Sequence, residues 1–240
     1  MTDMPPPLLP DSAPTPAVVV TDPFEPFDEK LSCMGYVDAL LKTPNRLHTD
    51  IQTGGAGAAF RAFAFWVSVG LLCYGLITGM FSGGWQYLWA PTKIMLCVTG
   101  TFLLCLPSLY IFSCLSGINV RPLQLMAHEM SGLALTSLLL LGLAPVLFLF
   151  SVSTESMVFM GGLHLLIWMM AGGAGAKRLL KSLHNLSGRS SAYLVLWLGI
   201  FVLVLLQMSS TLRPILGSSD QVFTSEKQFF LWHWFEGFGM

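Results

Sequence analysis

The chain has 240 residues, of which 54% are hydrophobic and only 10% are charged, and its formal net charge at pH 7 is -1. A soluble domain carries about 25% charged residues, so this composition excludes an ordinary soluble protein. The near-neutral charge and the lack of a basic stripe with aromatic residues also exclude nucleic acid as an expected partner.

Residues 1–29 form an acidic segment that contains eight of the 14 prolines and no Lys or Arg. Proline fixes φ and has no backbone N–H to donate, and the apolar residues of the segment show no helical or strand period with which to build a core. We predict a disordered, proline-rich tail.

Residues 30–52 carry an apolar stripe. Leu31, Met34, Val37, Leu40 and Leu41 recur at three- and four-residue spacing, which predicts a short amphipathic helix that ends before Pro44. Two placements stay open: the helix lies on the cytoplasmic membrane surface beside the first span, or it packs on the protein's own loops.

Five apolar stretches follow, and each is long enough to cross a membrane. A bilayer core of about 30 Å needs about 20 apolar residues in a helix, and the stretches cover residues 60–81, 94–115, 131–150, 156–176 and 192–209. We therefore predict an all-α polytopic helix bundle with five transmembrane helices in residues 53–217. Residues 218–240 form an aromatic tail suited to the lipid headgroup region, so the bilayer is the first expected partner.

Basic residues near the ends of the spans predict the orientation. If five spans alternate, nine of the 12 Lys and Arg residues lie on the N-terminal side and three on the other. Basic residues are retained in the cytoplasm, so the N-terminus is expected there and the C-terminus outside. We expect a bacterial inner membrane protein.

Polar residues within the predicted spans are few. His164 is the one group there that titrates near neutral pH. Such a group is a functional candidate by default, although a neutral histidine bonded to a hydroxyl or a carbonyl is the favoured interpretation. Thr99, Thr101 and Ser108 make span two the most polar span, and a cavity shared with His164 would favour transport.

Backbone irregularities are expected at prolines and glycines. Pro107 and Pro145 are predicted to kink spans two and three. Glycines at small-xxx-small spacing let helices approach closely in lipid, and either internal packing or a dimer seam explains them. These glycines are Gly75, Gly79, Gly83, Gly161, Gly162, Gly172 and Gly173.

No catalytic, cofactor or metal site is predicted. The five cysteines form no C-x-x-C pair and favour apolar packing. The pair His128-Glu129 lacks the second histidine of the zinc motif H-E-x-x-H, because Ser131 and Gly132 follow it. We therefore expect a protein that is not an enzyme and needs no cofactor.

Two segments resemble a family of bacterial five-span membrane proteins of unknown function. These are the kinked second span, with Cys105–Phe112, and the stretch Gln207–Gly217, which contains Leu212-Arg213-Pro214. Some members are labelled actin-binding, WASP-homology proteins. The feature here that resembles the basis of that label is the tripeptide Leu41-Lys42-Thr43 after a short amphipathic helix. The basic segment that follows in the family is replaced here by Ser225-Glu226-Lys227. A weaker likeness is to the Yip family of membrane-trafficking proteins.

These observations predict an integral membrane scaffold or accessory subunit of a membrane protein complex, with other membrane proteins or a second copy of the chain as partners. The alternative is a small transporter or channel with a site near span two and His164.

Overall fold

A computed structural model describes residue 27 and residues 31–82, 86–154, 156–187 and 192–211. Every regular element in these residues is a helix. The aromatic tail and, apart from Phe27, the proline-rich tail lie outside them, so neither prediction is tested.

Seven α-helices and one π-helical turn follow one another along the described chain. They are α1 (Cys33–Lys42), α2 (Pro44–Asp50), the π turn (Ile51–Gly55), α3 (Ala56–Ser82), α4 (Gln86–Leu115), α5 (Pro122–Ser153), α6 (Met157–Ser187) and α7 (Ala192–Thr211). The five helices from α3 to α7 are long and apolar enough to cross a membrane. This confirms the all-α bundle with five transmembrane helices and identifies a multi-pass membrane protein.

Three of the long helices extend well beyond the predicted spans. α5 begins at Pro122 rather than near residue 131, α4 begins before Lys93, and α6 continues past Lys181. The added turns carry polar and charged residues, which lower the hydropathy of the sequence. Several of them are nevertheless buried, because they face neighbouring helices rather than lipid.

α3 stands at the centre of the packing. It packs on α4 and on α5, while α6 packs mainly on α5 and α7 mainly on α4. The helices thus form two pairs, α5 with α6 and α4 with α7, on either side of α3. Contact between α6 and α7 is slight.

Close crossings of the long helices depend on small residues. A Cβ at Gly70 would lie 2.9 Å from the Ser137 carbonyl oxygen, and one at Gly75 would overlap Pro91. Likewise, a Cβ at Gly132 would lie 3.0 Å from the Gly175 carbonyl oxygen. These contacts bring α3 against α5 and α4, and α5 against α6.

The other predicted packing glycines differ in their surroundings. Gly79 is buried in α3, and Gly83 lies outside the described residues. On α6, a Cβ added at Gly161, Gly162, Gly172 or Gly173 would meet no atom within 4 Å. Among the described residues these four therefore serve no internal crossing.

The two predicted kink positions lie inside continuous helices. Pro107 lies within α4 and Pro145 within α5, and α4 also contains Pro91. Each proline removes one backbone donor from its helix, and both helices continue past the gap.

Buried apolar side chains form two clusters. The first joins α1, α2 and the π turn to α3, α4, α5 and α6, around residues such as Phe63 and Tyr74. The second joins α4, α5, α6 and α7, around Trp197 and Leu183. We call it the second cluster.

The N-terminal segment packs on the transmembrane helices of its own chain. Tyr36, Leu40, Leu47 and Ile51 are at most 4% exposed and belong to the first cluster. Ser32 caps α1 by accepting a hydrogen bond from the Gly35 N–H at 3.0 Å. The segment then continues into α3 through the π turn, where φ is 134° at Gly54.

Candidate functional site

Six polar side chains meet where α2 and the π turn touch α5 and α6. We call this group the polar junction; its members are His48, Gln52, Gln124, His128, Arg178 and Ser182. His128 and Ser182 are 0% exposed. Each member belongs to a helix or turn whose apolar face packs in the core. The packing of these segments therefore determines where the polar groups meet.

A chain of hydrogen bonds runs through the junction. The Ser182 hydroxyl lies 2.8 Å from His128 Nδ1 and 3.3 Å from His48 Nδ1. On the far side of His128, Nε2 lies 2.8 Å from Gln52 Nε2. The two imidazole rings are themselves neighbours, with centroids 5.0 Å apart.

The donor and acceptor properties of these groups give the chain of hydrogen bonds one direction. A glutamine amide nitrogen is a donor, so Gln52 donates to His128 Nε2. The proton of a neutral His128 is then on Nδ1, which donates to the Ser182 oxygen. The Ser182 hydroxyl in turn donates to His48 Nδ1. Every bond has one donor and one acceptor, and the proton positions follow from this pattern.

Gln124 and Arg178 tie the junction to the backbone. Gln124 Nε2 donates to the Gln52 carbonyl oxygen at 2.9 Å, and its Oε1 accepts the Arg121 N–H that begins α5. Arg178 donates to the Pro44 carbonyl oxygen at 3.3 Å and lies within electrostatic range of both histidines. The first turn of α2 is thereby joined to α6, and the first turn of α5 is joined to the π turn.

Tyr36 gives the N-terminal segment a second polar anchor. Its hydroxyl hydrogen-bonds to Asp50, and its ring packs edge-on against Phe63 with centroids 5.9 Å apart. Burial, followed by the adjacent Asp50 carboxylate, raises the pKa of Tyr36. The phenol therefore stays a hydrogen-bond donor at neutral pH.

The geometry of the junction suits a structural lock better than a reaction centre. Ser182 and His128 are fully buried, so a substrate has no approach to the serine oxygen. A surface pocket of ≈ 380 Å³ lies at the π turn and the start of α5 and is lined in part by Gln52, Arg121 and Gln124. Among the described residues, no three His, Cys, Asp or Glu side chains are placed to hold a metal ion.

His164 lies in a separate environment. Its Nδ1 is 2.6 Å from the Tyr74 hydroxyl, and the two rings meet edge to face. Thr101 and Ser108 bond to carbonyl oxygens of α4, the helix that contains them, and Thr99 is exposed. Among the described residues, His164 makes no hydrogen bond to Thr99, Thr101 or Ser108.

Glu129 is the buried acid that the sequence analysis did not single out. It is 1% exposed, and neither carboxyl oxygen has a hydrogen-bond partner. Leu125 and Leu133, one turn away on either side, both pack in the second cluster. From α4, Cys105 is electrostatically coupled to Glu129.

The sequence carries a signal for Glu129 but none for the polar junction. The apolar run through residues 125–127 and Met130 shows that His128 and Glu129 lie inside an amphipathic helix rather than at its edge. By contrast, Ser182 is 54 residues from His128 and 134 from His48, and a helical period does not reveal which distant residues meet.

The comparisons with known proteins leave the family resemblance untested: no family model, no curated protein and no solved structure matches the chain.

Replacing Ser182 with alanine tests the junction. The change removes a hydroxyl that serves both imidazoles and leaves the buried His128 and the half-buried His48 ring nitrogens without that partner, so we expect the free energy of unfolding to fall by about 1–3 kcal/mol. Denaturation in mild detergent measures it. The matched control is Ser153→Ala, since Ser153 is exposed and bonds only to the Leu149 carbonyl oxygen of its own helix. Equal stability of the two variants contradicts the lock.

Proposed function

We propose that the protein is a membrane scaffold or accessory subunit that binds a transmembrane helix of another membrane protein along the outer face of α6. This outer face consists of Gly162, Leu166, Met169 and Gly173, which follow one another at four-, three- and four-residue spacing. All four are exposed in the single chain, Leu166 to 52% and Met169 to 66%.

The open glycines carry this proposal. A Cβ at Gly162 or Gly173 would meet no atom within 4 Å, whereas the internal crossing of α6 on α5 uses Gly175 against Gly132. Glycine costs a helix about 1 kcal/mol relative to alanine. Two glycines on an outward face, with flexible Leu and Met side chains between them, match the flat surfaces on which membrane helices approach closely.

A transporter or channel built around His164 receives less support. The Tyr74 hydroxyl occupies His164 Nδ1, and Thr101 and Ser108 bond to their own helix. A transport site requires polar groups that converge on one cavity. Here Thr101 and Ser108 bond to the local backbone, and His164 Nδ1 bonds to Tyr74 while its Nε2 is buried without a partner among the described residues.

We also propose a bacterial inner membrane location with the N-terminus in the cytoplasm. The nine-to-three division of the basic residues supports this orientation. Single-cysteine chains and a membrane-impermeant maleimide on intact cells test it. We expect Ser153→Cys to be labelled, while the native exposed Cys33 reacts only after the inner membrane is permeabilised. The reverse pattern overturns the orientation.

Bulky substitutions on the outer face test the function. Gly162→Leu and Gly173→Leu place a large side chain where a partner helix must approach, so chemical cross-linking in membranes should yield several-fold less of the complex than the wild-type chain gives. Leucine favours helix formation more than glycine does, so both variants should fold.

The matched control is Gly199→Leu, because Gly199 is an equally open, exposed glycine on α7. It should retain the complex. Two differently tagged copies of the chain distinguish a partner protein from self-association. Cross-linking that is the same in all four proteins, or that joins only copies of this chain, contradicts the proposed accessory role.

A further inference from the structure

We propose that Glu129 is a proton-binding site: its carboxyl holds a proton inside the second cluster, and release of that proton to water separates the α5–α6 pair from the α4–α7 pair. This inference goes beyond the proposed helix-binding function and rests on a residue of α5 rather than on the outer face of α6.

The Glu129 carboxyl is shielded from water and unpaired. It is 1% exposed, and neither of its oxygens has a hydrogen-bond partner among the described residues. An ionised carboxylate that is buried without a partner costs several kcal/mol or more. The folded state described here therefore requires a bound ligand that removes the charge.

The surroundings of Glu129 identify that ligand as a proton. A metal cation needs several ligands, whereas no three His, Cys, Asp or Glu side chains of the described residues are placed to hold one, and the apolar side chains of the second cluster pack one turn away on either side. The Trp197 indole N–H is already engaged, at 3.3 Å from the Cys105 carbonyl oxygen and 3.1 Å from Ser108 Oγ. A proton needs no further ligand, because a neutral acid is compatible with an apolar site.

Among the described residues of the second cluster, Cys105 is the only one that titrates. From α4 the coupled group is the Cys105 thiol, and the residues that α6 and α7 contribute to the second cluster do not titrate. On α5 itself, His128 precedes Glu129, but its ring bonds to Ser182 and Gln52 in the polar junction. The proton on Glu129 is therefore bound independently of that hydrogen-bond chain.

The position of Glu129 explains why losing the proton should move helices. The second cluster joins α5 and α6 to α4 and α7, while direct contact between α6 and α7 is slight. An ionised Glu129 carboxylate in this cluster lowers its free energy most by becoming hydrated. Separation of the α5–α6 pair from the α4–α7 pair lets water enter between α6 and α7, where direct contact is slight. The proton is transferred to this water and leaves as hydronium.

Glu129→Gln provides the first test, because glutamine resembles the protonated acid in shape and carries no charge. In the unfolded chain Glu129 ionises in the ordinary acid range, whereas the folded state holds its proton. Raising the pH therefore favours unfolding of the wild-type protein. We expect the melting temperature in detergent to fall with rising pH, and the fall to be smaller in Glu129→Gln.

Asp38→Asn is the matched control, because Asp38 is an exposed acid whose side chain is 59% accessible in its pair with Lys42. Its pH profile should follow that of the wild-type chain. Parallel profiles for the wild-type and Glu129→Gln proteins overturn the proposal. So does a Glu129→Gln protein that is less stable than wild type at high pH, since that result means the folded site favours the ionised acid.

The native cysteines report the helix movement. Cys105 lies in the second cluster, within electrostatic range of Glu129, whereas Cys97 is buried elsewhere on α4, against the Leu205 carbonyl oxygen. Two chains that each keep one of these thiols are labelled with a membrane-permeant maleimide across pH. The Cys97 chain corrects for the ordinary rise in thiol reactivity.

We expect the ratio of Cys105 to Cys97 labelling to rise several-fold with pH when Glu129 is present, and to stay constant in Glu129→Gln. A constant ratio with Glu129 present contradicts the movement. Replacing Na⁺ with K⁺ at fixed pH should change nothing. A change with the cation means that a metal ion, rather than a proton, occupies the site.

Discussion

Buried polar groups at the ends of α5 and α6 must find their hydrogen-bond partners inside the protein, since neither lipid nor an apolar core supplies any. The polar junction satisfies this constraint with groups from four segments. His128 and Ser182 need partners on both sides, and His48 and Gln52 supply them. The N-terminal segment is therefore a structural part of the bundle rather than an arm attached to it.

Apolar packing and the polar junction play different parts in placing that segment. Burial of Leu47 and Ile51 in the first cluster supplies most of the attraction. Apolar contact has little directionality, however, and it tolerates rotation of α2 about its axis. Because hydrogen bonds from His48 and Gln52 reach fixed atoms on α5 and α6, they select one rotation.

The spans were predictable because the bilayer imposes a length and a composition that can be read locally. The ends of the helices were not predictable in this way. The added turns of α5 bury His128 and Glu129 against other helices, whereas a hydropathy scale treats both residues as solvent-exposed. The glycines divide in the same way. A Cβ at Gly75 would overlap Pro91, whereas a Cβ at Gly173 would meet no described atom within 4 Å, and spacing alone did not distinguish these two glycines.

A single sequence gives less indication of the polar junction and of Glu129 than of the transmembrane spans. The junction joins residues 54 to 134 positions apart, and no local period encodes such a meeting. Glu129 was passed over because it stands beside a histidine in an incomplete metal motif. Its burial between Leu125 and Leu133 is what makes it a candidate. His164, the most conspicuous residue in the sequence, pairs with Tyr74 instead.

The central claim is that the bond between Gln52 and His128 couples the N-terminal segment to α5. A double-mutant cycle tests it most directly, with Gln52→Ala, His128→Ala and the double variant unfolded in detergent. The account predicts a coupling free energy of about 0.5–3 kcal/mol, as for residues that share a hydrogen-bond network. Stability losses that add within about 0.5 kcal/mol would contradict it, because independent sites behave in that way.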